Sequence, residues 1–250
     1  MYLYEYAREG TTQAGMCGAA VISAVVHYLV FALWKTDDPK SAPFRSRVAS
    51  QVHAVFGVVS VACAVALLSV DFSSKERMVL GVAEEGDWVH PYIIAVSVGY
   101  FASDMVVMLT HPDVFAPSAI IHHTVIGGGF AAGLVTGVAT PYHVLFLAEE
   151  ASTVFLNIRY FWRKNPDVQS KASLAFAAAF FVSRLLFGSY VFLSAFPFLH
   201  QGLDDGILSQ AQYTAFSVQV FLCALSRLLN LFWAYQILRI LIAPAKPKSQ

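Results

Sequence analysis

Residues 118–137 read SAIIHHTVIGGGFAAGLVTG, a run without acid, lysine or arginine that is long enough to cross a bilayer as one helix, for which about 20 apolar residues suffice. At its head stand His122 and His123. Imidazoles in such surroundings need partners for their ring nitrogens. Those partners must come from neighbouring stretches of the chain.

Comparable apolar runs lie near 15–34, 49–70, 91–110, 142–162, 172–196 and 211–242, which together with 118–138 predict about seven transmembrane helices. His111-Pro112 and Pro117 bracket a turn so short that the third and fourth runs also allow one hairpin dipping into the membrane. The composition agrees with a membrane assignment. The chain is 57% hydrophobic and 13% charged, whereas soluble domains carry about 25% charged residues. An all-α polytopic membrane protein is therefore expected. The first run lacks a basic leader and a small-residue cleavage site, which reads as a retained helix rather than a signal peptide. Formal net charge is zero, so no basic surface argues for a nucleic-acid partner. Cys17, Cys63 and Cys223 lie in apolar stretches without metal-ligand spacing and read as small buried hydrophobes.

Lysine and arginine separate between alternate sides of a seven-span topology. One side collects Lys35, Lys40, Arg45, Arg47, Arg159, Arg163, Lys164, Lys171, Arg239, Lys246 and Lys248. The other holds Arg8, Lys75 and Arg77 among Glu5, Glu9, Asp71, Glu76, Glu84, Glu85, Asp87, Asp204 and Asp205. The positive-inside rule then expects a lumenal N-terminus and a cytoplasmic C-terminus. In the final AKPKSQ, Lys246 and Lys248 match the K-x-K-x-x pattern of endoplasmic reticulum retrieval, and that membrane is the expectation, although such a lysine pair also serves as an ordinary interfacial anchor.

Asp104, Glu149, Glu150, Arg184 and Arg227 fall inside the apolar runs. Each such charge costs about 2.5–3.5 kcal/mol on insertion scales and should face the bundle interior with a partner. A register-fixing ion pair, such as Glu150 with Arg184 or Arg227, would satisfy them. Helical rise assigns each polar residue a depth. By that measure His27, His53, Asp104, His122, His123 and Asn157 share one layer, drawn from five spans and facing the basic side. Helical spacing adds shared faces: Glu150, Thr153 and Asn157 on the fifth span, Arg227 and Asn230 on the seventh, Tyr100 and Asp104 on the third. A polar chamber is expected, in which Asp104 or Asn157 accepts an imidazole N–H and orients a histidine.

The same residues carry a family resemblance. SQVHAV at 50–55, GYFASDMVVML at 99–109, the histidine pair at 122–123 and EASTVFLNIRYFW at 150–162 together resemble the TLC domain family. That family takes in ceramide synthases, translocation-associated membrane proteins and other TLC domain-containing proteins; the order and spacing look most like the last group. The resemblance covers about 45–242. It implies a first helix in segment 1–44, a six-helix barrel over 45–242 with a lipid-accommodating cavity on the cytosolic side, and a short tail at 243–250. His53, Asp104, His122, His123, Glu150, Asn157 and Arg159 match positions that the family pattern emphasises. HHTVIGGGFAAGLVTGVATP, at 122–141, holds no acid where ceramide synthases carry paired aspartates.

Three functions follow as expectations. The first is a lipid-handling protein that binds a lipid or acyl chain in the barrel and contributes to membrane lipid homeostasis, with His53, Tyr100, Glu150, Thr153, Asn157, Arg184, Arg227 and Asn230 as its polar cavity residues. The second is an acyl-CoA-dependent N-acyltransferase, with His122, His123 and Asp104 catalytic. The third is a structural subunit of a larger membrane assembly, with membrane-protein partners. No cofactor or metal is expected, and the partners otherwise expected are membrane lipids. A retinal protein would need a lysine in the last span, where 211–242 has none, and a di-iron hydroxylase would need several clustered histidine boxes.

Overall fold

The computed structural model describes residues 13–38, 41–67, 71–81 and 89–242. The charges assigned to Glu5, Arg8, Glu9, Lys40, Glu84, Glu85 and Asp87, and the tail with Lys246 and Lys248, lie outside the described residues. The chain is an all-α membrane protein. In hydrocarbon each backbone N–H and C=O must be satisfied within its own segment, and helices do this at every predicted run.

The first span is α1 (Gln13–Leu33) and the second α2 (Ser41–Leu67); α3 (Lys75–Val79) is a short helix in the connection that follows. α4 (Val89–Thr110) and α5 (Pro117–Thr136) are separate full-length helices rather than a shallow hairpin. The fifth stretch is broken into α6 (Thr140–Phe146), a 3₁₀ turn (Leu147–Glu149) and α7 (Glu150–Phe161). The sixth comprises α8 (Pro166–Phe180), a π segment (Phe181–Phe187), α9 (Gly188–Leu193) and α10 (Phe196–Gln201); α11 (Gln210–Ile242) is the last. Six stretches are long and apolar enough to span a membrane. The broken stretch 140–161 adds another crossing, because its neighbours in sequence sit at opposite ends of the bundle.

Contacts between connections define those two ends. At one, Arg163 pairs with Asp38, and the Phe31 ring meets His111 at 4.9 Å, so the α1–α2, α4–α5 and α7–α8 connections cluster. At the other, Ala139 N–H donates to the Val79 carbonyl at 2.7 Å and Lys75 meets Asp205 at 2.8 Å, joining the connections after α2, α5 and α10. This second end is plugged by apolar side chains, among them Met78, Val138, Tyr142, Phe198 and Phe216. The bundle is thus solid at the acidic end, and its hollow lies at the basic one.

Around the hollow the helices follow the order α2, α7, α8, α11, α5, α4, with α1 outside against α4 and α2. The α1–α4 contact depends on Gly99. A Cβ there would collide with the Ala20 carbonyl and the Ser23 side chain. With that space open, Ser23 Oγ donates to the Val96 carbonyl at 2.6 Å.

The Lys75–Asp205 pair gives a pH-dependent clasp. Lys75 is buried and also donates to the Gly202 carbonyl at 2.9 Å. Its hydrogen bond, with that of the Ile207 amide, holds the Asp205 carboxyl below the usual carboxylate range. A carboxylate with a depressed folded-state pKa adds stability fully above its unfolded value, about 3.9, and loses it as pH falls through the folded one. In thermal unfolding, Asp205→Asn should melt below wild type at neutral pH, with the gap narrowing under about pH 4. A gap independent of pH would refute the clasp.

Candidate functional site

The hollow at the basic end is a cavity of about 740 Å³. Of the residues singled out from sequence, Tyr100, Asp104, His122, His123, Glu150, Thr153 and Arg184 line it. His53, Asn157, Arg227 and Asn230 stand behind that lining and hold parts of it.

The histidine layer forms a continuous chain of ring contacts from five helices. His53 is fully buried and stacked on Tyr100 at 4.0 Å, with His27 edge-on to Tyr100 at 5.2 Å. Tyr100 meets His123 at 5.9 Å, and His122 packs on Trp233 at 5.2 Å. His123 Nδ1 lies 3.5 Å from Asp104 Oδ2, so the expected acid and imidazole stand side by side, but Nδ1 makes no hydrogen bond. The other expected acceptor differs. Asn157 does not serve a histidine; its Oδ1 accepts from Arg47 at 3.2 Å and its Nδ2 donates to Ser50 Oγ at 3.1 Å. Asn157 points toward α2, which packs directly on α7, whereas His122 and His123 lie on α5.

The ion pair also departs from expectation. Glu149, not Glu150, meets the arginines. Its carboxylate is paired with Arg227, lies 3.6 Å from Arg184 and accepts from Asn230 Nδ2 at 3.1 Å. Arg227 Nη1 donates to the Arg184 carbonyl at 2.9 Å, and Arg184 reaches Ser152 at 2.8 Å and Thr153 at 3.2 Å. Gly188 makes room for this cluster, since a Cβ there would collide with the Arg227 guanidinium and the Glu149 carboxylate. Glu150 turns toward α2 instead, where a Cβ on Gly57 would stand 3.3 Å from its Cγ. The 3₁₀ turn ends between the two acids, so one faces α11 and the other the cavity beside α2.

Sequence reading missed several cavity residues. Arg47 counted as a topological anchor, yet it lines the cavity with Ser46, Ser50 and Ser152. Ser46 Oγ donates to Asp104 Oδ1 at 3.4 Å. A charge two turns inside the end of a helix, one residue after a serine, was the available signal. Among the described residues no group of three or more His, Cys, Asp or Glu could hold a metal ion.

Chemically, the site offers one imidazole beside a carboxylate, a second imidazole on the wall, two guanidiniums and a second carboxylate that forms no ion pair among the described residues. It can hold polar groups of either sign and move a proton at His123 or His122.

No solved structure matches the chain. A TLC domain-containing protein of Acanthamoeba polyphaga mimivirus is 29% identical over 164 residues, 62% of this chain and 76% of the viral protein. The profile of the TLC domain matches residues 44–239, from the first turn of α2 nearly to the end of α11, and the chain accordingly belongs to the TLC domain family.

Proposed function

We propose that this membrane protein handles lipid: it binds a lipid or acyl chain inside the barrel and contributes to membrane lipid homeostasis. The observation that carries the reading is the cavity. At about 740 Å³ it has the size of small-molecule sites, roughly 300–1,000 Å³, and it combines buried polar groups with apolar walls. An open hollow of this kind supports lipid handling over a purely structural subunit. The basic end, with Arg45, Arg163, Lys164 and Arg239, faces the cytosol in this proposal. In this reading the membrane is that of the endoplasmic reticulum, and the function is like that of the group around TLC domain-containing protein 4.

Mass spectrometry of the gently extracted protein tests the reading. Wild type should carry a stoichiometric lipid or acyl chain, and Ala119→Trp, which fills the cavity from α5, should retain several-fold less. Empty wild-type protein would overturn it.

One observation favours a second reading, acyl transfer from acyl-CoA to an amine lipid. His123 stands 3.5 Å from the Asp104 carboxylate, and His122 faces the same cavity. An imidazole would take the amine proton as nitrogen attacks the thioester carbonyl, and the CoA thiolate would leave. Labelled acyl-CoA with a panel of amine lipids should then give turnover that is lost in His123→Ala. No turnover with any pair would exclude it.

A further inference from the structure

The cavity has two unlike walls. Arg47, Asp104, His123, Glu150 and Thr153, from α2, α4, α5 and α7, face one side; Phe176, Phe180, Trp233, Ile237 and Ile240, from α8 and α11, face the other. The apolar wall is also where the ring is loosest. α8 packs on α7 and α11 on α5, while α11 meets the sixth stretch through the π segment and α9. α8 and α11 themselves do not pack closely on each other. Ile240 lines the cavity and is 69% exposed, as a residue on the rim of a side opening would be.

Charges of both signs line the cavity without neutralising one another, most on the polar wall and Arg184 beside Phe180 and Trp233. Arg47 bonds the neutral Asn157 and lies 5.4 Å from the Tyr160 ring. Glu150 is 8% exposed, and among the described residues no cation comes within ion-pair distance of it. Asp104 meets Ser46 and His123. Arg184 finds its nearest carboxylate in Glu149, which is already paired with Arg227. Buried charges kept apart are unfavourable unless a further group completes them. An anionic lipid would match the guanidiniums and confront two carboxylates; a cationic amphiphile would do the reverse; an uncharged glyceride would match neither.

Resting on the reading that the barrel holds a lipid, we propose that its occupant is a zwitterionic phospholipid that enters from the side. The phosphate lies against Arg47 and Arg184, the ammonium against Asp104 and Glu150, and the acyl chains leave between α8 and α11 over Phe176, Trp233 and Ile237.

Equilibration of the full chain with mixed micelles holding equal amounts of phosphatidylcholine, phosphatidylglycerol and diacylglycerol, followed by native mass spectrometry, tests this. Phosphatidylcholine should be enriched at least five-fold in the bound fraction. Glu150→Gln with Asp104→Asn should move the preference to phosphatidylglycerol, and Arg47→Gln should weaken phosphatidylcholine retention; none of these residues belongs to the Glu149–Arg227 pair, and each variant is checked for wild-type melting. Equal retention of the three lipids, or phosphatidylglycerol preference in wild type, would overturn the zwitterion assignment while leaving a lipid-binding barrel. Retention of none would overturn the barrel reading itself.

Discussion

Alanine in place of Glu149 is expected to lower the unfolding free energy by about 3–5 kcal/mol, the usual penalty for removing one partner of a buried ion pair. The reason is the company Glu149 keeps. It is 4% exposed and serves Arg227, Arg184 and Asn230 together, joining the fifth, sixth and seventh stretches of the bundle. Without it two guanidiniums, 6% and 8% exposed, remain in the bundle interior with no carboxylate between them. Denaturant unfolding in bicelles reads the loss as a fall in midpoint. Glu150→Gln is the comparison, because among the described residues Glu150 has no ion-pair partner, and neutralising it should change stability by less than about 1 kcal/mol or raise it. Similar losses at both positions would mean that the two acids share the arginines, contrary to this arrangement.

Valine at Gly99 should cost about 1–3 kcal/mol, the range for overpacking a well-filled contact. The added Cβ meets backbone rather than the tip of a flexible side chain: the Ala20 carbonyl, the Ala24 nitrogen at 2.9 Å and Ser23 Cβ at 2.7 Å. Relief requires α1 to move away from α4, which breaks the bond from Ser23 to the Val96 carbonyl. Gly128→Ala supplies the opposite sign. Nothing lies within 4 Å of a Cβ there, and alanine should gain about 0.5–1 kcal/mol inside a helix. The two thermal midpoints should move in opposite directions; a stable Gly99→Val would show that α1 does not pack as closely as described.

The spans were legible because length and hydropathy are one-dimensional properties. Their ends were less so, for reasons visible in particular residues. α2 starts at Ser41 rather than near 49 because Arg45 and Arg47 interrupt the apolar run without interrupting the helix; Arg45 Nε donates back to the Ser41 carbonyl at 3.3 Å. α8 starts at Pro166 rather than 172, where Asn165 accepts from the Val168 amide at 3.2 Å, a cap that outweighs the polarity of Asp167 and Lys171. The histidine layer was legible because a fixed rise per residue converts position into depth. Azimuth was not. Glu149 and Glu150 are adjacent in sequence, and only the 3₁₀ turn decides which of them looks at the arginines. Nor does hydropathy distinguish an arginine at a membrane edge from one that lines a hollow, as Arg47 does.

The π segment at Phe181–Phe187 has a consequence for how this fold tolerates change. A π turn holds one residue more than an α turn, and all that follows is advanced by about 100° in azimuth. Gly188, the next residue, stands where the guanidinium of Arg227 leaves no space for a side chain. Deleting one residue within 181–187 would let a regular α turn re-form with Gly188 still at that spot, whereas a deletion in the regular turns just beyond it would present a bulkier neighbour there. Most one-residue indels are absorbed by loops; here the sixth crossing carries a spare residue mid-bundle, and the π segment is an internal place where it can lose one without turning the half that follows.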